Sequence, residues 1–433
     1  MVSSAEFHLS RSSVRTSPEG LATGVSILLV FLEMLAVGPS SGPANAVGIA
    51  SSSPSYLLAV DGLGDWVNQN PSTNPLGRAS FAMTYAEDDD RVVLFGGGVV
   101  VSAQAVTTPE DATWTYDLNT NTWVNRNPSP RPPPLGGHAM AYDMNSDRVV
   151  LFGGCSSCPP DPWVSNVDTW AYHAGANTWT DMAPDSGPPA MIGGRMAYDS
   201  QSDQTILFGG LSPSFSEYSA TWAYHLETNT WTNMAPPTSP SARNYQGMAY
   251  DVKSDRIILF GGAGASGILG ETWAYDFDAN VWTNMQPATS PPPTDFVEMV
   301  YDSQSNRVIL FGGNYGGTAD SAETWAYNFG SNVWTKTNSP APPPARSRHA
   351  LAYDSESDRT VLFGGLDSSA FSLYSDTWSY DYLEPAGGPV PSNPILEFLA
   401  SPGGLATIGI GVVVVVGAAW FTVRRRKVKP PQV

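Results

Sequence analysis

The stretch Trp66-Val67-Asn68-Gln69-Asn70-Pro71 returns almost unchanged as Trp123-Val124-Asn125-Arg126-Asn127-Pro128, with a single substitution. The second copy closes a longer unit; the first has no such unit before it. Each unit carries an apolar run that ends in Gly-Gly, first seen as Arg91-Val-Val-Leu-Phe-Gly-Gly97 and again at 148–154, 204–210, 256–262, 307–313 and 359–365. The closing glycines stand 57, 56, 52, 51 and 52 residues apart, so the unit occurs six times. A variable loop and then Thr-Trp-x-Tyr follow each run, with Trp at 114, 170, 222, 273, 325 and 378. Nine residues on comes a second Trp, at 123, 179, 231, 282 and 334, but the last unit has Gly387 there. Its missing Trp segment stands at the other end of the chain, around Trp66.

Four short strands fit each unit. Strand a is a segment such as Ala139-Met-Ala-Tyr142; strand b is the run before Gly-Gly. Strand c is Thr-Trp-x-Tyr, and strand d surrounds the second Trp. Val, Ile, Phe, Tyr, Trp and Thr suit half-buried pleated surfaces. Asp143-Met-Asn-Ser-Asp147 and Asp117-Leu-Asn-Thr-Asn121 are turn segments, since Asp and Asn tolerate the left-handed region and bond their own backbone. Twelve of the 14 Trp fall on the two repeat positions. If the Trp66 strand completes the sheet of the Trp378 strand, the chain closes into a six-bladed all-β propeller over 60–383, and closure removes the exposed edges that template aggregation. Gly-Gly, then Tyr, then Trp seven residues later (Tyr116 and Trp123, Tyr172 and Trp179) resembles the kelch repeat. That resemblance implies a propeller closed by a terminal strand, with partners bound on its loops; it implies architecture more strongly than activity.

Forty-one Gly and 37 Pro favour turns and short strands, while 42% hydrophobic residues supply a large core. A net charge of −19 speaks against nucleic acid, which calls for a basic face. The ends read as membrane-handling segments. Arg11 and Arg15 precede an apolar stretch at 21–32 and the small residues Ala44-Asn45-Ala46, the order of a signal peptide; Glu33 leaves a signal anchor open, so 1–46 is one or the other, with 47–59 a linker. Residues 405–423 are uncharged and long enough for a transmembrane helix of about 28 Å. Arg424, Arg425, Arg426, Lys427 and Lys429 make 424–433 a cytoplasmic tail, and the Pro/Gly-rich 384–404 a spacer. The expected protein is a monomeric propeller outside the cell membrane on a single span.

Strands alternate in direction, so the b–c and d–a loops share one face and the a–b and c–d turns the other. The turns keep their length and acidic character; the b–c loops vary, and the d–a loops are stiffened by proline, as in Pro128-Ser-Pro-Arg-Pro-Pro-Pro134 and Pro340-Ala-Pro-Pro-Pro344. The loop face is therefore the expected binding face for an extracellular protein or glycan. Its aromatic and arginine candidates are Trp163, Tyr315, Arg131, Arg243, Tyr245, Phe296, Arg346 and Arg348. Phe215 and Tyr218 belong to a segment shared with 371–378 and are read as packing residues. His138 and His349 hold the same offset before strand a, directed toward the axis, and without further ligands make a poor metal site. Cys155 and Cys158 are the expected disulfide of one b–c loop. The acidic turns, densest at Asp88-Asp89-Asp90, lack a calcium-loop pattern and are read as hairpin caps. No metal or other cofactor is expected. The rival reading is an extracellular carbohydrate-active or oxidase-like enzyme. Galactose oxidase has a kelch propeller with copper, two His, two Tyr and a Cys–Tyr crosslink, but none of these carries over residue by residue. No catalytic constellation stands out from the repeat frame.

Overall fold

The computed structural model describes residues 64–100, 107–158, 164–317 and 319–383. These belong to one compact unit, Leu58–Val433. Trp163, the leader 1–46, the linker 47–59, the spacer, the span 405–423 and the basic tail lie outside the described residues.

Six four-stranded antiparallel sheets form the blades. Blade 1 consists of Ala82–Ala86 (a), Arg91–Phe95 (b), Thr113–Asp117 (c) and Thr122–Asn125 (d). Blades 2 to 5 repeat this order within 139–181, 195–233, 247–284 and 298–337. The a strands of neighbouring blades lie side by side around the axis, and the d strands are outermost. Blade 6 takes its a, b and c strands from Ala350–Asp354, Arg359–Phe363 and Thr377–Tyr382, and its outer strand from Gly64–Asn68. Trp66 stands opposite Tyr380 there, the register that Trp123 and Tyr116 hold in blade 1. The ring is closed by the two ends of the repeat region.

The tryptophans show why the spacing must be kept. Each d-strand indole lies between the strand-c tyrosine of its own blade and the strand-b phenylalanine of the preceding one. Trp179, for example, has its ring centroid 4.8 Å from Tyr172 and 5.3 Å from Phe95. Its Nε1–H donates to Thr113 Oγ1 of the preceding blade at 2.9 Å. All six blades make this bond at 2.9–3.0 Å, including Trp66 to Thr324 and Trp123 to Thr377 on either side of the closure. A buried indole needs such an acceptor, because an unmet donor costs ~1–3 kcal/mol. Thr at the start of strand c and Trp in strand d are thus one device split between adjacent blades.

The turns are equally uniform. In each a–b turn the strand-a tyrosine donates its hydroxyl to the Asp or Asn five residues on, as Tyr142 does to Asp147 at 3.0 Å and Tyr301 to Asn306 at 2.9 Å. Those acceptors sit in the left-handed region, with φ of 53° at Asp147 and 56° at Asn306. Asp143, Asp199, Asp251, Asp302 and Asp354 each accept a backbone N–H from the turn that follows. Their carboxylates cap hairpins. After strand b the chain turns at Gly-Gly, and at Gly97 (φ 82°) an added Cβ would come 2.6 Å from Cβ of Phe81.

Candidate functional site

Where the repeat breaks down is at the axis. Ser80, Gly137, Gly193, Tyr245, Phe296 and Arg348 occupy one position, two residues before strand a, and all have φ between 50° and 70°. Their backbones link around the axis: Gly137 N–H donates to Ser80 O at 2.7 Å, Gly193 to Gly137 at 2.8 Å, Tyr245 to Gly193 at 2.7 Å, and Ser80 to Arg348 at 3.0 Å. Glycine fills this left-handed site freely, whereas a bulky residue costs ~1–2 kcal/mol there. Three blades nevertheless carry large side chains, and these meet. The rings of Tyr245 and Phe296 stack with centroids 4.1 Å apart, and the guanidinium of Arg348 lies 4.1 Å over Phe296. Tyr245 leans across Gly193, where an added Cβ would be 2.9 Å from its ring. A half-buried platform of two rings and one cation therefore covers the centre of the loop face. Beside it the carboxyl of Asp295 is pushed up to about 6 by burial, an effect that Arg348 opposes.

Of the residues singled out from sequence, Tyr245, Phe296 and Arg348 are brought together. Arg243 and Arg346 are not contact residues: both are fully buried. Arg346 Nη1 donates to Gly364 O at 2.8 Å and both Nη atoms pair with Asp376; Arg243 donates from Nη1 to Gly261 O and from Nη2 to Glu271. They brace the b–c loop against the d–a loop, as does Arg78 with Gly96 O and Glu110. Arg131 is held by Asp111 at 2.8 Å, and Tyr315 donates to Ser321 in its own loop at 2.8 Å, so neither joins the platform. Cys155 and Cys158 are bonded to each other in the blade 2 loop.

The shared segment of blades 3 and 6 divides in two. Tyr218 packs on the core and Tyr374 lies 4.0 Å beneath the Arg346 guanidinium. Phe215 and Phe371 point outward, 63% and 61% exposed, from hairpin tips with φ of 59° and 51°. The packing reading fits Tyr218, which joins the core, while Phe215 stands at a largely exposed hairpin tip.

His138 and His349 do not face the channel as free ligands. Burial holds both near a pKa of about 3, so they are neutral. Each packs edge-on against a strand-b phenylalanine of the preceding blade, Phe95 or Phe311. Gln246, at the equivalent position in blade 4, instead donates to Phe208 O at 2.8 Å. Among the described residues no three His, Cys, Asp or Glu side chains are grouped to hold a metal ion.

Beneath the platform the channel widens into a cavity of about 420 Å³ that opens between the a–b turns, on the opposite face. Met83, Met140, Met196, Met248, Met299 and Leu351 line it. At its closed end, Arg195 of blade 3 is hydrogen-bonded to Glu298 of blade 5 across the axis. Neither had been singled out from the sequence. The signal was the first position of strand a, which reads Ala82, Ala139, Arg195, Gly247, Glu298 and Ala350. Two opposite charges in an otherwise small-residue column mark a pair.

Two family models match the chain. One, described as the KLHDC2/KLHL20/DRC7 Kelch-repeats domain, covers residues 52–262; the other, the Attractin/LZTR1 beta-propeller, covers 205–417. Together with the six blades they decide the family. The chain is a kelch-repeat propeller protein. Similar proteins include Putative adagio-like protein 2, Adagio-like protein 1 and Adagio-like protein 3 of Oryza sativa subsp. japonica. They are 26%, 24% and 26% identical over 59% of this chain. The kelch chain spans only 41–42% of the length of these relatives.

These matches correct the expected placement on the cell membrane with the propeller outside. The relatives of this kelch protein are adagio-like, and no helix among the described residues is long and apolar enough to cross a membrane.

Proposed function

We propose that this kelch propeller is a non-catalytic protein-interaction module whose partner docks on the b–c and d–a loop face. The observation that supports this reading is the Tyr245–Phe296–Arg348 platform. Three large side chains occupy a strained backbone position that Gly137 and Gly193 fill without cost, and they converge on the axis. Aromatic and arginine side chains are the usual anchors of protein interfaces, and this platform is rigid because each member rests on the next. The braces Arg78, Arg243 and Arg346 hold the surrounding loops in place before a partner arrives, which lowers the ordering cost of docking. Phe215 and Phe371, on blades 3 and 6, extend the same face on two sides of the ring.

Affinity capture with the full chain tests this. A partner retained by wild type and by the turn-face variant Glu227→Ala should be retained at least tenfold less by Phe296→Ala, a loss of ~1.4 kcal/mol or more. Equal retention by both variants, with unchanged melting, would overturn the assignment.

A further inference from the structure

We propose that the axial cavity, entered from the a–b turn face, is a second binding site that takes a small unbranched aliphatic carboxylate, its alkyl chain along the methionine wall and its carboxylate on Arg195. The volume of about 420 Å³ falls within the range of ~300–1,000 Å³ typical of small-molecule sites. The walls are apolar, and five of the six residues that ring them are methionine. Unbranched thioether side chains reshape around a flexible chain more readily than branched ones do. Thr84, the strand-a tyrosines, turn serines and Glu87 line it toward the mouth, and the charged pair Arg195–Glu298 lies at the closed end. There, the Nε–H of Arg195 is buried and has no acceptor among the described residues, although an Nη donates to Glu298. A guanidinium with a spare donor edge matches the two oxygens of a carboxylate.

Charge balance explains how an anion enters a cavity that already holds an ion pair. Burial pushes the Glu298 carboxyl up to about 7, with Arg195 pulling it back only in part. When a ligand carboxylate takes the guanidinium, Glu298 accepts one proton from solvent. The site stays neutral, and the new O–H can donate to the ligand. The other groups around Glu298 do not disturb this exchange. His138 and His349 stay neutral down to about 3, and burial raises the Tyr245 phenol. Toward the mouth, the strand-a tyrosines are bonded to turn residues such as Asp147, and Glu87 stands at the rim. Binding should therefore take up a proton and weaken as pH rises through about 7.

Isothermal calorimetry with decanoate, run in two buffers of different ionisation heat, tests the proposal. Decanoate should bind wild type with proton uptake and about tenfold more weakly at pH 8.5 than at pH 6.5. Glu298→Gln should bind at least as tightly as wild type and lose the pH dependence. Arg195→Met should bind at least tenfold more weakly. Decanol, which has the same chain and no charge, separates recognition of the carboxylate from simple burial of the alkyl chain. No binding of decanoate to wild type, or equal affinity for decanol, would overturn the proposal even if a variant failed to fold. So would a pH dependence that survives Glu298→Gln. The partner-capture result is independent of all these outcomes.

Discussion

The rim and the axis of this propeller are built by opposite rules. At the rim, six copies of one arrangement are kept: indole between tyrosine and phenylalanine, Nε1–H on the threonine of the preceding blade. At the axis, three successive positions hold Ser80, Gly137, Gly193, Tyr245, Phe296, Arg348; then Phe81, His138, Gly194, Gln246, Val297, His349; then Ala82, Ala139, Arg195, Gly247, Glu298, Ala350. The difference is geometric. A rim residue contacts both blades at a junction, so a change there disturbs the angle between them and the closure of the ring. An axial residue meets the ends of several blades, and the backbone there is already fixed by its own bonds. Identical residues at the rim make the ring; unlike residues at the axis give it distinct surfaces.

The largest test asks whether the rim is as uniform in energy as in geometry. Trp282→Ala removes an almost fully buried indole from the junction of blades 3 and 4, and Trp66→Ala does the same at the junction of blades 5 and 6. Large-to-small changes of this kind cost ~3–5 kcal/mol. Both variants should fall in that range by chemical denaturation, although Trp66 lies on a strand joined to its sheet only through space. A cost below ~1 kcal/mol for Trp66→Ala alone would mean that the ring does not depend on the N-terminal strand for closure.

This division also explains what the sequence disclosed. Periodic residues were legible because each recurs with its partner at fixed spacing, and the displaced Trp66 segment gave the closure. The axial pair was not, since Arg195 and Glu298 are separated by 103 residues and each is the only charge of its kind in its column. Arg346 and Arg348 show a second limit. Both precede strand a in one proline-stiffened loop, yet the first is buried on Gly364 O and the second lies over Phe296. Arg348 has a left-handed φ of 56°, and residue type does not encode that. The face that bears the variable loops followed from strand alternation; the cavity behind it did not, because it depends on how six a strands close around the axis.

A second test asks whether unlike axial residues can do the same structural work. His138 and Gln246 hold equivalent positions; Gln246 donates to the strand-b carbonyl of Phe208, whereas His138 packs edge-on against the strand-b ring of Phe95. The imidazole, however, binds a proton only near pH 3 when folded, against about 6.5 in the unfolded chain. Between those values the unfolded state binds more protons, so stability falls as pH falls, by ~1.4 kcal/mol per pH unit. His138→Gln should leave stability near pH 7.5 almost unchanged and make the protein about 2 kcal/mol more stable than wild type at pH 5. Denaturation curves at the two pH values check it. A penalty at pH 7.5 would show that blade 2 needs the ring shape of His138 and that the two columns are not interchangeable.

The smallest expected effect lies where rim-like repetition reaches the mouth of the channel. Tyr301 and Tyr353 make the same hydroxyl bond in adjacent a–b turns, at 2.9 and 2.8 Å, but one acceptor is the neutral Asn306 and the other the carboxylate of Asp358. Removing a neutral hydrogen bond costs ~0.5–1.5 kcal/mol, and a charged acceptor adds to that only as far as water is kept away. Both turns are half-buried. Tyr301→Phe should therefore cost about 0.5–1 kcal/mol, and Tyr353→Phe a few tenths more, both read from urea midpoints at pH 7. Equal costs would mean that solvent cancels the charge and that the turns are the same in energy as well as shape. A difference above ~1.5 kcal/mol would mean that individuality at the axis extends outward into the turns.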